Sequence, residues 1–466
     1  MTVPDIKKRL KAIQQRGGKV VVVDPRRTET AELADQHHFI RPGSDVLLLL
    51  AMLQTLFHEN RLAPGRLAHL LPPLNALQLA VTPYSPERVA DLTGISAESI
   101  RQLTREFAQA KTAVAYGRMG VSVQQFGTLC QYLIMLLNIL TGRLDQPGGL
   151  MFPTPAADIV AQSAPGKLGK LKSRVRGLPG FSGELPVAAL AEEILTPGEG
   201  QVKALVLAAG NPVLSTPNGS QLDKALAQLD FMVAVDFYLN ESTRHAHIIL
   251  PPCGPLERDH YDLVFHLFAV RNTAKYSPAL FPPQGKTKQD WEIYLELASR
   301  MRAKTSLAQK LNDEFMKRFG PVVLVDILLR TGHYGGGWKQ WSSLSIRKLK
   351  QHPHGIDLGP LQPGLPAAIW HKDKKINLAF EFFAPDFQRV EKTFYAQTTE
   401  ENAVAGQGRT MHLIGRRHVR SNNTWMHNSY RLVKGKSRCT ALLHPQDAAE
   451  LNITDGEIIR VASRTG

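Results

Sequence analysis

The chain reads as an α/β protein: two Rossmann-like α/β domains with parallel sheets, followed by a partial C-terminal β-barrel. Three observations predict this. Two strand-like runs, Lys19–Val23 and Phe231–Val235, each lead directly into an aspartate, Asp24 and Asp236. A third apolar run, Ala204–Ala208, breaks at Gly210-Asn211-Pro212. From Arg409 onward the pattern changes to short β-like pieces, MHLIG, CTALLHP and EIIRVAS. A β-branched run bounded by Gly and Pro suits a strand buried on both faces of a parallel sheet. Ligands of such sheets sit beyond the carboxyl ends of the strands. The acidic strand ends therefore point to a ligand rich in hydrogen-bond donors, as nucleotide bases and riboses are.

The elements follow in order. Pro4-Asp5 opens a basic helix that stops at Gly17-Gly18, and strand Lys19–Val23 follows. Asp24-Pro25 supplies a cap and a first helical residue. Ser44-Asp45 caps the apolar helix Val46–Glu59; Ser85-Pro86-Glu87 starts a helix that Gly94 stops, and Ser96 starts another to about Ala110. Thr112–Tyr116 reads as a strand and Gln124–Leu140 as a long apolar helix, ended by TGRLDQPGG. This alternation gives a first nucleotide-binding domain over residues 1–150. Residues 151–200, rich in Pro, Gly, Ala and Ser, read as a linker or surface excursion with five basic residues from Lys167 to Arg176. A second α/β nucleotide-binding domain spans 201–305, with strands Ala204–Ala208, Phe231–Val235 and Ile248–Leu250, helix Gly219–Leu229 and a closing helix near Trp291–Arg300. A less legible variable region covers 306–408. The barrel, at 409–466, ends at Arg464-Thr465-Gly466 in a hairpin-like turn, so a barrel cut there lacks strands.

The bulk composition bounds the function. At 466 residues the chain is long enough for about three domains. Its net charge of +15 points to an anionic partner: nucleic acid, membrane surface, phosphate-bearing cofactor or acidic protein. Cys130, Cys253 and Cys439 stand far apart with no CxxC pair, so the chain shows no zinc or iron–sulfur ligand spacing. The polar, basic N-terminus is not a signal peptide. The apolar stretches Val46–Phe57 and Leu133–Leu140 fall short of the roughly 20 residues that span a bilayer. A soluble, cytoplasmic protein without a membrane span is expected.

Several constellations carry chemistry. A carboxylate at a strand end accepts two hydrogen bonds from a ribose diol or a guanine edge, each worth about 1.5–3 kcal/mol. Asp24 and Asp236 fit that role, although an aspartate before proline also fits an ordinary helix cap. Ile40-Arg41-Pro42-Gly43-Ser44-Asp45 places an arginine at a helix start, where a phosphate would also meet the helix N-terminus. No GxGxxG or GxxxxGK[ST] loop follows a strand, which disfavours a simple NAD dehydrogenase or P-loop NTPase. From Arg416 to Arg438 there are seven Arg or Lys and no acid, interleaved with Asn422, Asn423, Asn428, Trp425, Tyr430, His418 and His427. That density suits a polar, anionic heterocycle and, nearly as well, single-stranded nucleic acid. The pairs His37/His38, His245/His247 and His352/His354 lack metal-site spacing and read as structural or surface residues. The run Glu257-Arg258-Asp259-His260 is either catalytic or an ion-pair loop.

The ordered series VVVVDPRRTETA, IRPGSD, YSPERVADLTGIS, LTGRLDQPGG, AAGNPVLSTPN, VAVDFYLNEST, ILPP and RSNNTWMHN with LLHPQDAAEL resembles the molybdopterin oxidoreductases of the dimethyl sulfoxide reductase type. The resemblance covers about 1–300 and 409–466. It implies a molybdenum- (or tungsten-) dependent oxidoreductase that binds bis-molybdopterin guanine dinucleotide for two-electron redox of a small substrate. By match of motif, Asp24 and Asp45 hold one guanosine; Gly210, Asn211, Pro212 and Asp236 hold the other, with Ser242 nearby. Asn422, Asn423 and His427 approach the pterins or phosphates, and Arg26, Arg41, Gly43 and Arg420 join the cofactor-binding set. The family's usual 4Fe-4S cysteines and its molybdenum ligand have no counterpart in this chain, and His247 stands in AHIILP where Asp is usual. A truncated or split member is expected, served by an iron–sulfur electron-transfer partner, with its catalytic residues unassigned. Two alternatives stay open: a non-catalytic scaffold of the same fold in an electron-transfer complex, and a basic nucleic-acid-binding protein.

Overall fold

The structure is a computed structural model, and it describes residues 5–161, 163, 168–302, 306–337, 343–395, 411–418, 420–424 and 426–463. The chain divides into two compact units. One gathers residues 1–162, 261–276 and 325–414; the other gathers 163–260, 277–324 and 415–466.

The first unit is built on two helices that are apolar on every side. Asp45–His58 buries ten residues, among them Leu47, Leu50, Leu53 and Leu56; Gly127–Leu140 buries another ten, including Leu129, Leu133, Leu136 and Leu137. A helix with no polar face is stable only when enclosed. Helices Pro86–Thr93 and Ala97–Gln109 help to enclose this pair. Each fully buried leucine contributes roughly 1.5–3 kcal/mol. Burial also pushes the Cys130 thiol up to about 12, as suits a core residue rather than a reactive one.

Strands Val21–Val23 and Gln36–His38 pair in parallel, with helix Glu29–Leu33 in the crossover. The Asp24-Pro25 pair does not cap this helix. Thr28 does so, accepting from the Ala31 N–H, while the Asp24 carboxylate turns back to the Arg26 N–H. Ser44 likewise makes no side-chain cap; its hydroxyl donates to the Arg41 carbonyl. Ser85 and Ser96 cap as their sequences predict, and Gly94 ends its helix with φ +76°. Thr112–Tyr116 forms no strand, because a side chain replaces the ladder partner. The Asn138 amide accepts from the Ala115 N–H at 3.0 Å and donates to the Ala115 carbonyl at 2.9 Å.

Glu59, just beyond helix Asp45–His58, is clamped by Arg105 (2.8 Å) and Arg61 (2.6 Å). Hydrogen bonds from Arg105 hold its carboxyl down at about 2, against an ordinary 4.5. Since the folded value lies below the unfolded one, the clamp stabilises the protein above about pH 4.5, and that stability is lost as pH falls towards 2. Allowing for solvent screening at the half-exposed arginines, about 1–2 kcal/mol is at stake. Urea titrations should therefore show Glu59→Gln less stable than the parent at pH 7, with the difference cut to roughly half at pH 3 and closed only below about pH 2. An equal difference at both pH values would contradict this linkage.

In the second unit, strands Ala204–Ala208, Phe231–Val235 and Ile248–Ile249 form a parallel sheet in that order, with Ala204 opposite Phe231 and Val233 opposite Ile248. Helices Leu190–Leu195 and Gly219–Leu226 pack together through Ile194, Leu222 and Leu226. Residues 168–172 and 179–181 form an antiparallel hairpin. His247 lies between the last two strands, where its Nδ1 accepts from the Met232 N–H at 3.0 Å.

The C-terminal pieces do not form the expected barrel. Among the described residues, 411–463 contain helices Tyr430–Val433 and Pro445–Glu450 and no strand. The three β-like pieces carry strand propensity, but propensity without a ladder partner does not make a strand. Arg409 and Arg464–Gly466 lie outside the described residues. No described helix is long and apolar enough to cross a membrane.

Candidate functional site

The two strand-end aspartates adopt the same arrangement in different units. Asp24 Oδ1 accepts from the Arg26 N–H at 2.8 Å, and Asp236 Oδ1 accepts from the Phe237 and Tyr238 N–H groups at 2.7 and 3.0 Å. In both cases one oxygen is spent on turning the chain. The other takes no hydrogen bond from any described residue. Both residues are half-buried, so a ligand meeting that oxygen is partly shielded from water.

In the first unit, Asp45 joins Asp24. Burial, helped by the Asp24 charge, pushes the Asp45 carboxyl up, while a hydrogen bond from Gln124 at 2.7 Å opposes the shift. Gly43 turns the chain at φ +87°, a conformation that disfavours side chains. Arg41 is exposed and runs past Gly94, where an added Cβ would come within 3.5 Å of its Cγ. Arg26 is half-buried. Two carboxylates, an amide and two arginines thus lie at one sheet end and the adjoining helix start. Such a set can read a purine edge with donors and balance a phosphate.

In the second unit, Asn211 is buried and held from both sides. Its Nδ2 donates to Glu241 Oε2 at 2.6 Å, and its Oδ1 accepts from Ser242 Oγ at 2.7 Å. Ser242 is fully buried and also accepts from the Val213 N–H at 3.0 Å. Pro212 opens the short helix Pro212–Ser215. Beside Gly210 the space is open, since an added Cβ would meet only the Ala208 carbonyl, at 3.7 Å. The hydrogen bond from Asn211 lowers the Glu241 carboxyl most; the charges of Arg244 and His427 lower it further. His427 therefore lies within electrostatic reach of the Asn211 cluster.

Asn423 and His427 line an open basin of about 600 Å³, together with Arg416, Arg417, His418 and Arg438. Among the described residues no acidic side chain lines it, which makes it a site for anions. Arg420 and Asn422 are exposed and are not among its lining residues. Trp425 lies outside the described residues.

Gln124, Glu241 and Asp290 escaped sequence reasoning. Asp290 pairs with Arg258 at 2.6 Å through Oδ2, but its Oδ1 is buried without a partner. The charges of both Asp290 and Asp236 reach Tyr294, which places a third acid near the second strand end. An acid in the first turn of a helix is ordinary, so nothing in QDWEIY marks this one. The run Glu257–His260 is an ion-pair and turn-forming loop: Arg258 meets Asp290, Glu257 accepts from the Gly254 N–H and Asp259 from the Ala279 N–H. Among the described residues, no three His, Cys, Asp or Glu side chains gather closely enough to hold a metal ion.

The family model "Molybdopterin oxidoreductase" matches residues 3–300, and "Molydopterin dinucleotide binding domain" matches residues 411–466. Formate dehydrogenase H of Escherichia coli is 29% identical over 311 residues, covering 62% of this chain and 42% of that protein. F420-dependent formate dehydrogenase 2 subunit alpha of Methanococcus maripaludis is 25% identical, covering 99% of this chain and 66% of the relative. The solved structure of acetylene hydratase from Pelobacter acetylenicus superposes with a TM-score of 0.74 at 19% identity, over 97% of this chain and 64% of that one. The chain thus spans less than two thirds of the length of each of these proteins.

Proposed function

Because this chain belongs to the molybdopterin oxidoreductase family, we propose that it binds the two guanine ends of bis-molybdopterin guanine dinucleotide and serves the two-electron redox of a small substrate. The observation that carries this reading is the pair of strand-end carboxylates, each with one oxygen spent on the chain and one left for a ligand. The residues present fit such a group. Asp24 and Asp45, with Gln124 between donor and acceptor roles, would hold one guanosine. Asp236 would hold the other, with Asp290 offering its orphaned oxygen and Asn211 its fixed amide. Arg26 and Arg41 would meet phosphates, as would the basic basin and Arg420. Asn422, Asn423 and His427 would meet the pterin edges.

When bound, the molybdenum (or tungsten) centre supplies the redox chemistry. The residues of this chain bind and orient: carboxylates accept from guanine N–H groups, guanidiniums neutralise phosphate, and the Glu241–Asn211–Ser242 chain holds one amide still. We assign no metal ligand and no 4Fe-4S ligand within the chain. An iron–sulfur electron-transfer partner would exchange electrons with that centre; the Methanococcus relative is itself named as one subunit, alpha.

Losing one charged guanine contact costs about 1.5–3 kcal/mol, or roughly ten- to hundredfold in affinity. Calorimetric titration with guanosine diphosphate as the probe should show that loss for Asp24→Ala and for Asp236→Ala, each with an unchanged thermal melt. Parent-like affinity in both variants would defeat the assignment.

A further inference from the structure

Ahead of helix Gly127–Leu140 the run from Gly117 to Gln124 folds back against the helix. Glycine permits this at both ends: an added Cβ would lie 2.6 Å from Ile134 Cδ1 at Gly117 and 2.1 Å from the Ser122 carbonyl oxygen at Gly127. Two glutamine amides hold the run between these points. Gln131, on the helix, donates through Nε2 to the Gly117 carbonyl at 3.3 Å and to Ser122 Oγ at 2.9 Å. Gln124 donates through Nε2 to the Gly120 carbonyl at 2.8 Å and to Asp45 Oδ2 at 2.7 Å. A carbonyl and a carboxylate only accept, so these two partners fix which way the Gln124 amide faces. No other described side chain hydrogen-bonds the Asp45 carboxylate. The run itself is largely open to solvent, with Arg118, Met119, Gly120, Ser122 and Val123 exposed.

We propose that Gln124 is a positioning residue of the first half-site: its amide aims the Asp45 carboxylate and couples the segment 118–123 to guanosine binding there. The proposal rests on the reading of Asp45 as a guanosine ligand. Guanine offers two N–H donors on one edge, and an ionised carboxylate accepts both, whereas a protonated one turns an O–H towards them. Burial first, and the Asp24 charge with it, work against the ionised form of Asp45. The Gln124 amide favours it, more strongly than Asp45's own backbone N–H does. The titratable groups that face the carboxylate are Asp24 at the strand end and Cys130 on helix Gly127–Leu140, and neither brings a positive charge. The same amide reaches Gly120, so the carboxylate and the exposed segment share one side chain. Coupling of this kind is reciprocal: a nucleotide that draws on the carboxylate alters the hold on the segment, and loosening the segment alters the affinity.

Measurements on the whole chain, first without nucleotide, test this. Carboxyl-carbon NMR, with the Asp45 signal assigned by its loss in Asp45→Asn, should show Asp45 titrating at higher pH in Gln124→Leu than in the parent. The Val121, Ser122 and Val123 N–H groups bond to the Arg118 and Met119 carbonyls. Their hydrogen exchange should rise about tenfold in Gln124→Leu and in Asp45→Ala, the loss of one charge-assisted bond, and no further in the double variant. Exchange in helix Gly127–Leu140 should stay as in the parent, which separates a local loss from unfolding. Calorimetric titration with guanosine diphosphate follows. Binding needs the ionised carboxylate, so affinity falls as pH drops through the Asp45 titration. Gln124→Leu should match the parent within a few-fold at alkaline pH and lose affinity at a higher pH than the parent does. An Asp45 titration unmoved by Gln124→Leu, or parent-like exchange in Asp45→Ala, overturns the proposal. So does a parent that binds guanosine diphosphate with a pH profile that Gln124→Leu leaves in place; the guanosine reading then survives alone. A parent that binds no guanosine diphosphate at any pH overturns that reading and this proposal with it.

Discussion

Replacing Asp145 by alanine should cost the protein about 3–5 kcal/mol of stability, the largest single effect expected in the chain. Asp145 is fully buried and sits at φ +55° in the turn TGRLDQPGG. Its carboxylate gathers donors from distant sequence: the Gly364 N–H at 3.0 Å, the Leu365 N–H at 2.7 Å and the Arg66 guanidinium. Arg66 also donates to the Leu365 carbonyl at 2.9 Å. One side chain thus ties the turn after helix Gly127–Leu140 to the 364–365 segment. Alanine leaves two backbone N–H groups and a guanidinium without their acceptor, and each unsatisfied buried group is expensive. Asn keeps one acceptor oxygen and loses the charge, so Asp145→Asn should fall about halfway between the parent and alanine. Equilibrium urea unfolding decides it. A loss below about 1 kcal/mol for alanine would show that the network adds little beyond what water can supply.

The sequence was legible where the signal was local. Strands that end in Asp24 and Asp236 need only their own β-branched runs and the residues that break them. Ser85, Ser96 and Gly94 cap as predicted because capping is settled within four residues. The readings that changed depend on a distant partner. Thr112–Tyr116 has strand composition, yet Asn138, from the middle of a helix, takes the hydrogen bonds a neighbouring strand would have made. Asp24-Pro25 has cap composition, yet its carboxylate closes its own turn and Thr28 does the capping. Asp290 was invisible for the opposite reason: an acid at a helix start is so ordinary that only its buried, unpartnered oxygen distinguishes it. The helix Leu307–Phe319 shows the limit of periodicity. It falls in the region that reads as variable, and its one buried side chain is Asp313, which no apolar spacing singles out.

Asn211→Ala should weaken guanine nucleotide binding by about ten- to hundredfold and also loosen the second strand end, for one structural reason. The Asn211 amide is committed at both ends, donating to Glu241 and accepting from Ser242. Ser242 in turn holds the Val213 N–H, and Asn240 holds the Ser242 and Thr243 N–H groups at 2.9 Å each. The loop after Phe231–Val235 and the loop after Ala204–Ala208 are therefore joined through this amide and through the Ser242 hydroxyl, which accepts directly from the Val213 N–H. Removing it leaves a fully buried hydroxyl short of an acceptor, at about 1–3 kcal/mol. Two variants separate the roles. Ser242→Ala removes the buried hydroxyl and keeps the amide, so it should raise hydrogen exchange at Val213 while leaving affinity for guanosine diphosphate within a few-fold. Glu241→Gln keeps an acceptor for Asn211 and removes only the charge, so binding should change little. If Asn211→Ala binds guanosine diphosphate as the parent does while exchange at Val213 rises, the amide is a brace between two loops and touches no ligand.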